Sequence, residues 1–220
     1  MSLKKKMALA ALALAAGSAF ATPVTAHYTS FGALSAATFG GSGIPNSDVA
    51  ITSLGAGQPI LGLTATQRYS NPAVVSHDNG VFQAVTGAYA AGDNLARWNF
   101  DYYVGGSNVG SYSYRLLADF DAGANTDESK YVDISLVSGL SFGVRQNSLN
   151  LGDLLASASN SFDPSKNGEY GFILEAWQGG REVGRSAILV DVGNVPEPTS
   201  LALVGVALAG AAFAARRRKA

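Results

Sequence analysis

The chain has 220 residues, is 47% hydrophobic and 14% charged, and carries a formal net charge of −1, which bounds it to one domain or at most two small ones. It contains no cysteine and two histidines, His27 and His77. Disulfide frameworks, thiolate metal sites and cysteine nucleophiles are thereby excluded, and a histidine-based metal site or a Ser-His-Asp triad is poorly supplied.

The charge is segregated. Seven of the fifteen basic residues lie at the ends, as Lys4, Lys5, Lys6, Arg216, Arg217, Arg218 and Lys219. Between Thr22 and Val195, eight basic residues face fifteen acidic ones, a net of −7. Phosphate binding needs a basic face, so nucleic acid is not an expected partner.

Residues 1–21 read as a secretory signal peptide. Lys4 to Lys6 form the positive region, residues 7–16 the apolar region, and Ala19-Phe20-Ala21 the small-x-small cleavage site. The apolar run is too short for a membrane span. Cleavage after Ala21 would leave Thr22 at the start of the mature chain, and signal peptidase is the implied partner.

From Thr22 to about Gly92 the chain is rich in Gly, Ala, Ser and Thr, with strands expected at 50–54, 61–69 and 81–85. The stretch Ser76-His77-Asp78-Asn79-Gly80 reads as a solvated hairpin turn and not as a catalytic dyad. Trp98, Phe100, Tyr102 and Val104 then alternate with polar residues, as do Tyr112, Tyr114, Leu116, Ala118 and Phe120. This period of two predicts two strands with one buried face each, joined through Gly105 to Gly110 as a long antiparallel hairpin. Asp101 and Asp133 fall on the polar beat and are expected in water. Tyr103 is the aromatic that falls off the buried beat, where it could stack on a sugar.

An acidic loop follows from Asp119 to Glu128. Oxygen donors at Asp119, Asp121, Asn125 and Asp127 are of the type that a calcium loop uses. Gly123 interrupts the pattern and strands flank it, so turn acids are the simpler reading. Strands are expected at 132–136 and 141–144, and residues 149–158 carry weak helical spacing. The last hairpin pairs 170–177 with 182–190 across Gln178-Gly179-Gly180-Arg181. Short strands and evenly spaced turns predict an antiparallel β-sandwich, jelly-roll or immunoglobulin-like, over residues 22–192. About 150 residues suffice for a real core.

Sequence motifs for nucleotide loops, zincins, dithiols or nucleophile elbows do not occur. No catalytic residue, cofactor or confident metal ligand is assigned, and the expected role is non-enzymatic. Alternative readings are a carbohydrate-binding module, with or without calcium, and a secreted polysaccharide hydrolase using two facing carboxylates.

The C-terminus has three parts. Pro196-Glu197-Pro198 ends a linker over 193–198, an apolar run follows from 201 to 215, and Arg216, Arg217, Arg218 and Lys219 form a basic stop. The 15 apolar residues, or 17 with Thr199 and Ser200, would span roughly 22–26 Å as a helix, slightly under the ~30 Å hydrocarbon core. The basic stop holds that end in the cytoplasm by the positive-inside rule, which agrees with a body already exported. The prolines keep the preceding segment extended, the form in which proteases bind backbone.

Together these parts, over 195–220, resemble the PEP-CTERM sorting signal of Gram-negative bacteria. The resemblance implies an exosortase as partner, processing near Pro196-Glu197-Pro198, and transient anchoring in the inner membrane through residues 199–220. It also implies delivery to the cell surface or an exopolysaccharide matrix, with extracellular polysaccharide as a further partner. Residues 114–121 and 168–172 are similar to pieces of the β-rich bodies that often precede this signal. Those bodies bring no activity to carry over.

Overall fold

The computed structural model describes residues 23–76, 79–158 and 162–193. They form a mainly β structure of two sheets, with strands numbered in chain order. The first sheet runs β1 (Ser30–Gly32), β2 (Val49–Ser53), β3 (Pro59–Gln67), β6 (Trp98–Gly106) and β9 (Gln146–Leu149). The second runs β4 (Val75–Ser76), β5 (Val81–Val85), β11 (Arg181–Gly193), β10 (Gly168–Gln178), β7 (Ser113–Ala118) and β8 (Val132–Asp133). One helix, α1 (Leu151–Ala158), follows β9.

The alternating aromatics meet between the sheets. Phe100 of the first sheet stacks on Phe172 of the second, with ring centroids 4.1 Å apart, and Trp98 meets Phe172 edge-on at 6.2 Å. Complete burial of a side chain such as Phe172 contributes on the order of 2–3 kcal/mol of transfer free energy. Tyr102 is equally buried, and its hydroxyl donates to the carbonyls of Ser138 and Val144 at 3.0 and 3.2 Å. Polar clips also join the sheets: Thr52 donates to the Arg185 carbonyl at 2.8 Å and Ser186 to the Ala50 carbonyl at 2.9 Å.

The expected hairpin of 97–120 does not form. Its two runs are β6 and β7, which lie in different sheets. Residues 107–112 carry the chain across, with Asn108 in the left-handed region at φ 57°. Alternation reports that one face of each strand is buried, not which strand lies alongside. Here the two runs turn their apolar faces to a common core.

The pairing is mixed, not wholly antiparallel, because β5 runs parallel to β11 in the register Leu189↔Val81 to Gly193↔Val85. The strand expected at 132–136 stops at Asp133, after which Ile134 is buried and Leu136 is exposed. The strand expected at 141–144 is replaced by a 3-10 turn over Leu140–Phe142, bracketed by Gly139 and Gly143, both at positive φ. The final hairpin is as expected, with Gln178 opposite Arg181. Gly179 and Gly180 have φ of 58° and 77°, the doubly left-handed turn that matches strand twist.

Both sheets are covered on part of their outer faces. Residues 33–48 cross the first sheet as a strap, burying Leu34, Ala37 and Phe39 against Val49, with Tyr103 packed beside them. Gln146 on β9 fastens the strap by accepting from the Thr38 and Phe39 amides at 2.9 and 3.0 Å. Gly62 permits this approach, since a Cβ there would lie 2.8 Å from Leu34 Cδ2. On the second sheet, Val24 packs over Leu117, Ile173 and Ala187, and His27 exchanges backbone bonds with Ala187.

Candidate functional site

Strand β6 carries an inner face of aromatics and an outer face of Asn99, Asp101 and Tyr103. The outer face was expected to be wet. Asp101 is instead fully buried, and Tyr103 belongs to the small core beneath the strap. Tyr103 is therefore only partly open to a ligand.

Asp101 anchors a polar network that runs along the covered face. Its Oδ2 accepts from the Thr66 hydroxyl at 2.8 Å, and burial pushes its pKa up to about 7 against the opposing pull of Ser148 and Thr66. The Ser148 hydroxyl accepts from Asn99 Nδ2 at 3.0 Å. The buried Asn150 donates to Asn99 Oδ1 at 2.9 Å, and Arg68 Nη1 approaches the same oxygen at 3.4 Å.

At the end of this network, beyond β3, is a cleft of about 610 Å³ between the strap and the sheet. Thr66, Asn99 and Ser148 line it, with Arg68, Tyr69 and Asp153 at its side. Arg68 Nη1 lies 3.8 Å from an Asp153 oxygen, and its guanidinium sits 5.2 Å from the Tyr69 ring and 5.5 Å from the Tyr89 ring. Tyr69 is 70% exposed and Tyr89 42% exposed. Sequence alternation could not find these tyrosines, because both lie outside the strands. The strand expected at 61–69 ends at Gln67, and Tyr69 falls in the turn that precedes Asn71-Pro72.

The acidic loop folds onto its own backbone. Asp119 Oδ1 accepts from the Asp121 amide at 2.9 Å, Asp121 Oδ1 from the Gly123 amide at 3.0 Å, and Asp127 Oδ1 from the Ser129 amide at 2.8 Å. Asn125 adopts φ 60°, and its amide donates to Glu169 at 3.0 Å. Asp119 and Asp121 line a cleft of about 350 Å³ together with Asp163, Lys130 and Lys166. Asp127 lines a different cleft, beside Glu128 and Glu175. Of the four calcium candidates, Asp119 and Asp121 thus line one cleft and Asp127 another, while Asn125 lines neither. Among the described residues, no group of three or more His, Asp or Glu is placed to hold a metal ion.

The outer face of the second sheet carries a network of paired charges. Arg185 donates to Glu175 at 3.1 Å, to both oxygens of Glu128 at 2.8 and 3.1 Å, and to Glu182. Glu175 is almost completely buried, and burial raises its pKa in spite of bonds from Trp177 and the two arginines beside it. Asp133 is half-exposed and pairs with Arg115 at 3.1 Å. Such networks fix geometry more than they add stability, but losing one partner strands a buried charge.

The sorting residues Pro196, Glu197 and Pro198, the basic stop Arg216 to Lys219, the cleavage residues Ala19 and Ala21, and the turn residues His77 and Asp78 lie outside the described residues. The last described residue, Gly193, ends β11 and is in register with Val85. No helix among the described residues is long and apolar enough to cross a membrane.

No curated protein and no solved structure matches the chain. Residues 194–219, beginning immediately after β11, match the PEP-CTERM protein-sorting motif, which implies an exported protein held transiently in the membrane through its C-terminus and processed by an exosortase.

Proposed function

We propose that this is a non-enzymatic protein of the cell surface or extracellular matrix, with residues 22–192 forming a single β-sandwich domain that is associated with exopolysaccharide. The signal peptide at 1–21 starts export, and the motif around Pro196-Glu197-Pro198 releases the domain at its destination. The observation that carries this reading is the position of the sorting motif directly behind β11. Processing there acts beyond the last described strand, so both sheets can be passed on whole. The acidic body between the two basic ends fits a domain that stays soluble among polymers outside the cell.

Replacement of Pro196, Glu197 and Pro198 by alanine, followed by cell fractionation and mass spectrometry of both termini, tests this. The unaltered protein is expected outside the inner membrane and shortened near residue 198, while the variant stays in the membrane at full C-terminal length. Identical location and termini for the two would refute the sorting role.

A further inference from the structure

We propose that the cleft beside Tyr69 binds a segment of a neutral carbohydrate chain. The Tyr69 ring acts as the stacking platform, and the Arg68–Asp153 pair takes neighbouring sugar hydroxyls. This rests on the reading that the body works among extracellular polysaccharide, and supplies the site that reading lacks.

Tyr69 is held out on purpose. It adopts φ 51°, a left-handed backbone that is unfavourable for a bulky residue. Two side chains fix the turn: Asn71 Nδ2 donates to the Arg68 carbonyl at 2.6 Å, and Gln67 Nε2 to the Tyr69 carbonyl at 2.9 Å. Burial does not repay the strain, since the ring is mostly in solvent. Tyr89, 5.5 Å away between centroids, and the Arg68 guanidinium support it from behind. A flat, propped and solvent-facing ring suits the apolar C–H face of a pyranose, as aromatic side chains pair a wide apolar body with a polar tip.

The cleft next to the ring has the size of a small-molecule site, within the range of roughly 300–1,000 Å³. Its floor is made of hydroxyl and amide groups locked by the Asp101 network. At its side Asp153, an acceptor, stands beside Arg68, a donor, at 3.8 Å. Vicinal hydroxyls present a donor and an acceptor in the same way, so the pair can hold two at once. The single arginine is already faced by a carboxylate. A phosphate or a polyanion would meet that carboxylate as well as the net negative body.

The test uses the processed protein purified from its own cells, titrated calorimetrically with hexamers of glucose and of N-acetylglucosamine, with polygalacturonate, and with polysaccharide extracted from the same cells. Binding to a neutral hexamer or to the extracted polysaccharide is expected. Tyr69→Asn, which removes the ring but tolerates the left-handed backbone, should weaken it about tenfold or more. Tyr69→Phe keeps the ring and should stay within about twofold of the parent. Phe142→Ala, at an exposed aromatic on another part of the surface, should leave binding unaltered.

Silence with all four probes, or a Tyr69→Asn variant that binds as the parent does, overturns the proposal. Tighter binding to polygalacturonate than to any neutral probe overturns the neutral-sugar assignment. Tyr69-dependent binding by a protein that stays in the inner membrane would defeat the destination and keep the cleft. An extracellular protein indifferent to Tyr69 would defeat the cleft and keep the destination.

Discussion

Asp101 occupies a position that strand alternation assigns to solvent, yet it is fully buried and ionises near 7. The reason lies far upstream, in the strap over residues 33–48, whose apolar residues have no strand periodicity to announce them. The same cover packs against part of Tyr103, while Tyr69 lies in the turn after β3 and is exposed. Alternation recorded which side chains leave the inner core but carried no information about a second layer. The consequence of burial is measurable. Unfolded, Asp101 ionises near its ordinary 3.8, and folded, near about 7. The native state therefore holds this proton longer, and the stability it contributes is full below about pH 4 and lost as pH rises through about 7. Asp119 and Glu175, raised by burial, act in the same direction. Asp133, where burial is outweighed by bonds from Ser135 and Arg115, and Glu182, bonded by Arg185, act in the opposite one. The difference between two proteins isolates Asp101. Asp101→Asn should be the more stable at pH 8, by on the order of 2 kcal/mol, and the advantage should shrink towards pH 4 in denaturant titrations.

Strands were legible where local chemistry alone decides them. Val81–Val85 has the bounds read from the sequence, and the β10–β11 hairpin has the turn that Gly179-Gly180 dictates. That turn needs positive φ twice, at 58° and 77°. Alanine at both positions should destabilise the protein by about 2 kcal/mol, read as a lower urea midpoint at unchanged slope. Elements were misread where partnership is decided at long range. The Gly105 to Gly110 segment has the composition of a hairpin loop, but an antiparallel partner and a switch to the facing sheet need the same glycines. The parallel placement of β5 on β11 was equally hidden, because residues 86–180 separate the two strands. The aromatic cleft was hidden as well, since strap, turn and helix each supply part of it and none carries a motif.

At the scale of the whole molecule, the address and the body meet at one residue. Gly193 is the last residue of β11, and the sorting motif starts at 194. Processing after 193 should cost the body nothing. Full chain and processed product, compared calorimetrically in the same detergent, should melt within about 2 °C of each other, a shift corresponding to less than about 1 kcal/mol at this size. A larger fall in the product would mean that the tail supports the sheets.

The place of β11 in its sheet also decides how the body answers to mechanical load. It is an inner strand of 13 residues, flanked by β10 from Arg181 to Val192 and by β5 at its C-terminal end. While the tail is anchored, drag on the body reaches the tail through Gly193, at the C-terminal end of that strand. The part of that load directed along the strand puts the β10 and β5 bonds in shear, so that many must give way together, whereas an edge strand pulled sideways would unzip one bond at a time. The tether thus leaves the fold through a strand suited to bearing tension for as long as the protein is held.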